Sequence, residues 1–135
     1  MAYKEYDLKK LTVALGGALA QGFADGEFLT ITPNRERNLT TIGADGEGAR
    51  SKLYDKSYQI TLTLLQTSST NDILSAYSNA NSSFTFSVLD ASGTTVFSTL
   101  NCWIRQNPDV SFSNEITERA WTLECAEAEE FVGGN

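Results

Sequence analysis

The residues closest to any known chemistry lie in one short stretch, GADGEGARSK, at positions 43–52. Gly43 and Gly48 are separated by four residues and Lys52 follows, which approaches the glycine-rich loop that cradles a nucleotide phosphate. That loop needs a lysine directly after the second glycine, then Ser or Thr for magnesium. Here Ala49 follows Gly48, and Ser51 precedes Lys52. Asp45 and Glu47 would aim carboxylates into the anion cradle, and no strand-to-helix step surrounds the glycines. The stretch is therefore not read as a phosphate site. Asp45 and Glu47 also lack the spacing of an EF-hand calcium loop.

Other chemistry is thin. The chain has no histidine, which removes Ser-His-Asp and Cys-His catalysis and the common zinc and iron sites. Its two cysteines, Cys102 and Cys125, are too far apart in sequence to read as a metal cluster. They read as small, buried, reduced side chains, and a disulfide would require their strands to be neighbours. Trp103 and Trp121 could stack on a sugar, although core or subunit-contact positions suit them better. Paired carboxylates for glycoside hydrolysis need only closeness in space, so spacing is silent about them. The run Glu127, Glu129, Glu130 reads as a solvated acidic end. No catalytic residue, cofactor or metal is expected.

The elements that would position these residues are mainly strands, because apolar residues recur with period two. In KSYQITLTLLQ, residues 56–66, Tyr58, Ile60, Leu62 and Leu64 share one face. Gln59, Thr61 and Thr63 share the other, until Leu65 breaks it. Trp121, Leu123 and Cys125 alternate with Thr122 and Glu124. Phe84, Phe86 and Val88 share a face, as do Leu11, Val13 and Leu15. EFLTITP and CWIRQ are shorter strand candidates. Gly16-Gly17 and DASGT at 90–94 read as hairpin turns. One segment changes period: Ile73, Leu74, Tyr77 and Ala80 fall at helical spacing. The sequence predicts a helix over about residues 70–80, capped by Ser69 or Thr70, with Asp72 at its positive end. The expected fold is a single 135-residue domain, a β-barrel or sandwich with one flanking helix. Residues 33–55 are polar and too long for a structureless loop. They read as a long projecting hairpin or loop, in which NLTTI at 38–42 could be a strand that pairs back and ARSKLY could pair on the far side of the glycines. Residues 127–135 read as a short acidic, glycine-containing tail.

Charge narrows the partners. The net charge is −7. Residues 1–67 balance eight basic groups against eight acidic ones, whereas the rest holds only Arg105 and Arg119 against nine acids. Tight nucleic-acid binding needs clustered cations, so this balance favours repelling a polyanion. No apolar run reaches the ~18 residues of a membrane span, and none follows the charges of the N-terminus as in a secretory leader.

Five strings then fall in order: GFADGEF at 22–28, GADGE at 43–47, LTLLQTSSTNDIL at 62–74, CWIRQNPDVSF at 102–112 and ERAWTLEC at 118–125. This ordered set, spanning about Tyr6 to Ala126, resembles the tail tube proteins of bacteriophages, in particular those of contractile-tailed phages. Leu8 stands where that family would have a proline. The resemblance implies six subunits in a ring and rings stacked into a hollow tube, with strands lining a lumen through which DNA passes unbound. It implies a virion tail protein, assembled in the host cytoplasm, with sheath, baseplate hub and tail terminator as partners. It also implies that a long loop contacts the next ring. Gly43, Asp45, Gly46, Glu47, Gly48, Arg50 and Lys52 are the residues expected there, carrying charges of both signs. Asp72, Asp90, Glu115, Glu118 and Glu124 are the acidic candidates for the lumen. The alternatives are a tube subunit of the type VI secretion kind, a carbohydrate-binding β-sandwich using Trp103 or Trp121, and a small carboxylate hydrolase.

Overall fold

The computed structural model describes residues 3–135. Ten strands and one helix follow one another: β1 (Leu11–Leu15), β2 (Ala18–Leu19), β3 (Leu29–Pro33), β4 (Asn38–Ile42), β5 (Gly48–Lys52), β6 (Tyr58–Leu65), α1 (Thr70–Ala80), β7 (Phe84–Asp90), β8 (Val96–Gln106), β9 (Glu118–Cys125) and β10 (Glu129–Phe131). Eight strands make one antiparallel sheet in the order β2-β1-β7-β8-β9-β6-β3, with β10 also beside β8. The strands β4 and β5 pair only with each other. The fold is thus mainly β, barrel-like, with one flanking helix and one separate hairpin.

The period-two pattern explains the sheet. Tyr58, Ile60, Leu62 and Leu64 of β6 are all buried, and their alternates are not. Trp121, Leu123 and Cys125 from β9 and Phe84, Phe86 and Val88 from β7 bury beside them in one core. Each such side chain contributes about 2 kcal/mol by leaving water. The sheet curls until its β3 end faces β1 and β7 across a cleft of about 410 Å³. CWIRQ is not a strand of its own. It is the far half of β8, an eleven-residue strand. The short tail at 127–135 is also structured. Its β10 continues the register of β9 along β8, with Cys102 opposite Cys125 and Ser98 opposite Glu129.

Helix α1 covers one end of the core through Leu74, which is fully buried, and Tyr77, which stacks on Phe84 at 4.4 Å between ring centroids. Its start differs from expectation. Ser69 makes no side-chain capping bond, and the Thr70 hydroxyl is turned to Gln21, whose N–H it accepts at 3.0 Å. The Ser68 hydroxyl, one residue upstream, accepts the Thr70 N–H instead. The helix ends at Asn81 in the left-handed region, φ 49°. That conformation is open to Asn at low cost. Gly16, at φ 58°, makes the β1–β2 turn, and an added Cβ there would lie 2.1 Å from Tyr77 Oη.

Candidate functional site

The stretch at 43–52 forms the tip and one strand of the β4–β5 hairpin. Gly43 N–H donates to Glu47 O at 2.7 Å, Gly46 N–H donates to Gly43 O, and Asp45 accepts the Glu47 N–H. Gly46 sits at φ 89°, which only glycine adopts without strain. This tight turn takes up the N–H groups of Gly43, Gly46 and Glu47 within itself, and its two carboxylates disfavour an anion there. Every residue of both strands is exposed. The charges do not alternate around the hairpin. Asp45 and Glu47 occupy the tip, whereas Arg50 and Lys52 share one face with Thr40, Asn38 and Ile42. The opposite face, Leu39, Thr41, Ala49 and Ser51, carries no charge.

A second surface is the outer face of β3, β6, β9 and β8. Cross-strand partners there are Thr30 with Thr61, Thr32 with Gln59, Thr61 with Thr122, Gln59 with Glu124, and Glu124 with Trp103. This face is polar and rich in threonine, a type that suits a pleated surface facing water. Arg105 lies on it, 3.5 Å from Glu124, and donates to Gln59 Oε1 at 2.8 Å. This is the single ion pair among the described residues.

The five acidic candidates are dispersed. Glu118 and Glu124 lie on the outer face of β9. Asp72 is exposed in the first turn of α1, and Glu115 is exposed in the loop before β9. Asp90 is a correction. It is only 4% exposed, and its carboxylate accepts the N–H and the hydroxyl of Ser92 in the β7–β8 turn. An enclosed carboxylate that shapes a turn presents no charge to a channel. Period-two parity would have found this, because Asp90 follows Phe84, Phe86 and Val88 on the buried face of β7.

The tryptophans do not make a sugar platform. Trp121 is 4% exposed, and its Nε1 donates to Asn71 Oδ1 at 2.9 Å, which ties β9 to α1. Trp103 is half-buried on the opposite face of the sheet from Trp121. Cys102 and Cys125 are free, buried and directly opposite each other on β8 and β9. Burial, reinforced by the neighbouring Cys125, pushes the Cys102 thiol up to about 12, and burial raises Cys125 as well. Such thiols are inert. Among the described residues, no group of His, Cys, Asp and Glu is arranged to hold a metal ion.

What composition did not reveal is how much apolar surface remains outside. Leu89, Val96 and Phe131 are cross-strand neighbours on the outer face of β7, β8 and β10, and all three are exposed. Val110, Phe112 and Ile116 project from the loop before β9, and Leu100 from a bulge in β8 is 80% exposed. Parity within β8 was the available signal, since Val96, Ser98 and Leu100 alternate with Phe97 and Thr99.

Comparisons with known proteins give the fold and the family. No curated protein matches the chain. Among solved structures, it is similar to a chain of the anti-feeding prophage cap, the AFP tube terminating cap. The TM-score is 0.65 at 14% identity, over 97% of this chain and 93% of that one. It is similar to a chain of the PVC sheath/tube terminator of an extracellular contractile injection system, with a TM-score of 0.60 at 16% identity, over 98% and 100%. It is also similar to a chain of the PVC sheath-tube complex, with a TM-score of 0.59 at 14% identity, over 94% and 91%. These likenesses establish the fold. The family model described as bacteriophage PhiTE tail tube protein matches residues 3–133, and the chain belongs to that family.

Proposed function

We propose that six copies of this chain close a ring, that rings stack into the hollow tube of a contractile phage tail, and that DNA leaves the capsid through its lumen. A tail tube protein is a structural component of the virion tail and not an enzyme. The finer reading rests above all on the β4–β5 hairpin. Two isolated strands with every residue exposed are marginal in water. A hairpin kept in that state has a partner elsewhere, and a stacked neighbouring ring supplies one through Gly43, Asp45, Gly46, Glu47, Gly48, Arg50 and Lys52. The sheet ends β2 and β3 carry unpaired backbone groups, which ring closure satisfies by adding strands from adjacent copies.

The polar outer face of β3, β6, β9 and β8 is the reading's lumen wall. Threonines and Gln59 give it hydration without cations. Glu118 and Glu124 are its acids, Asp72 and Glu115 lie nearer the rim, and Arg105 offsets Glu124. DNA on such a wall finds no row of Lys or Arg with which to exchange its counterions, so it slides without sticking. The sheath protein would cover the outside of the tube, and the baseplate hub and tail terminator would meet the two ends. Assembly would occur in the host cytoplasm. The test is Glu118→Lys with Glu124→Lys in the phage. DNA ejection should slow, and more so at low salt. Unchanged ejection kinetics at every salt concentration would remove the lumen assignment.

A second reading has a specific observation behind it. Of the three similar structures above, the two with the higher TM-scores are a tube terminating cap and a sheath/tube terminator. A terminator would form one ring and stop. Electron microscopy of the purified protein separates the two, because a tube subunit polymerises and a terminator gives single rings of fixed height.

A further inference from the structure

A groove lies where the sheet is interrupted. The ladder that joins β9 and β10 to β8 lapses opposite Thr99 to Asn101, where Glu127 is bridged to Lys56 instead. The Thr99 hydroxyl bridges the gap by donating to Glu127 O at 2.7 Å. The result is a trough of about 650 Å³ on the outer side of β7, β8 and β10. Small residues, Ser87, Ser98, Ala126 and Ala128, make up much of its lining, together with exposed Leu100. Glu127 and Glu129 are exposed on its rim, and no basic residue lines it. Neither carboxylate has an ion-pair partner among the described residues.

The β4–β5 hairpin pairs with no other strand among the described residues, and it carries the opposite charge on one face. Arg50 and Lys52 stand side by side on β5, with Ile42 near the tip of the same face. Neither base is ion-paired among the described residues. We infer that this trough is the acceptor for the hairpin of a second copy of the chain. Its cationic face lies on the rim, so that Arg50 and Lys52 meet Glu127 and Glu129 and Ile42 meets Leu100. The inference rests on the stacked-ring reading and adds the receiving surface to it. Small side chains in the lining admit a second backbone closely, and opposite charges set which face turns inward and suppress other registers. Such a contact is head-to-tail, because arm and trough are different parts of one chain. Contacts of that type propagate into open assemblies when the rotation does not close.

The experiment uses two charge-reversed variants of the whole chain. One carries E127R and E129R, and the other carries R50E and K52E. All four side chains are exposed, so both variants should fold, with near-ultraviolet circular dichroism and melting temperature matching the parent. Each alone should polymerise with a critical concentration raised about tenfold or more, and an equimolar mixture should restore parental tubes with the variants alternating. The inference fails if either variant polymerises alone like the parent, or if the folded mixture stays unpolymerised while the parent forms tubes. A parent that forms no tubes would instead remove the stacked-ring reading. Should one variant not fold, the parent itself gives the test. Its critical concentration should rise between 0.05 M and 1 M salt as the two charge pairs are screened, and a flat or falling curve overturns the inference.

Discussion

Excising the hairpin should separate folding from assembly. Leu53 N–H donates to Arg37 O at 2.9 Å. A bond of the same kind joins the first and fourth residues of a two-residue hairpin turn. Replacing Asn38–Lys52 with Asn-Gly therefore closes the chain with a favoured type I′ turn and leaves β3 and β6 in register. Every strand position removed is exposed, and none belongs to the core. No core burial is lost, so stability should change by no more than about 0.5 kcal/mol. Entropy of unfolding scales at about 2 cal/mol/K per residue. For a domain of this length the melting temperature should then move by about 2 °C or less. Calorimetry measures that shift, and sedimentation with negative-stain microscopy measures assembly. The shortened chain should melt like the parent and form no tubes. Normal tubes would refute a stacking role for the hairpin. A fall of more than about 8 °C would refute the claim that the hairpin contributes nothing to the core.

Three further substitutions probe the subunit itself. Gly16→Ala should destabilise by about 2 kcal/mol, because φ is positive and the new Cβ would strike Tyr77 Oη. Adding Tyr77→Phe should recover part of that loss, read as urea midpoints. Leu74→Ala should cost about 3 kcal/mol by emptying the contact between helix and sheet, and a cost below about 1 kcal/mol would mean the helix is not seated on the core. Trp121→Phe should cost about 1 kcal/mol through the hydrogen bond lost to Asn71. The cysteines give a pH prediction. Folding raises the Cys102 thiol from 9.0 to about 12. Above pH 9 the unfolded chain releases a proton that the folded chain retains, so stability should be full below pH 9 and fall as pH climbs towards 12. A Cys102→Ser, Cys125→Ser chain should lose that part of the alkaline slope, measured by denaturation at stepped pH.

Sequence alone carried the local parts of this fold further than the long-range ones. The β6 alternation and the helical spacing of Ile73, Leu74 and Tyr77 are set by neighbours in the chain, so periodicity gives their faces directly. The Gly16-Gly17 turn was legible for the same reason. That Cys102 faces Cys125 was not legible, because the pairing of β8 with β9 closes across an exposed loop whose length does not fix register. The β10 extension was hidden by the acidic run around it, since three glutamates suggested a solvated end. Asp90 misled because charge was weighed above its parity in β7. In the hairpin, sign order along the chain was visible, but its separation into an acidic tip and a basic face depends on the β4–β5 register. The trough was invisible because it is made by an absence of pairing between strands distant in sequence.

Cryo-electron microscopy of the purified chain, or of the virion tail, tests the tube assignment most directly. It should resolve hollow tubes of stacked rings, with Thr61, Thr122 and Glu124 facing the lumen. A strictly monomeric chain at high concentration and no tube of this protein in the virion would contradict the assignment, as would a tube wall with that face turned outward.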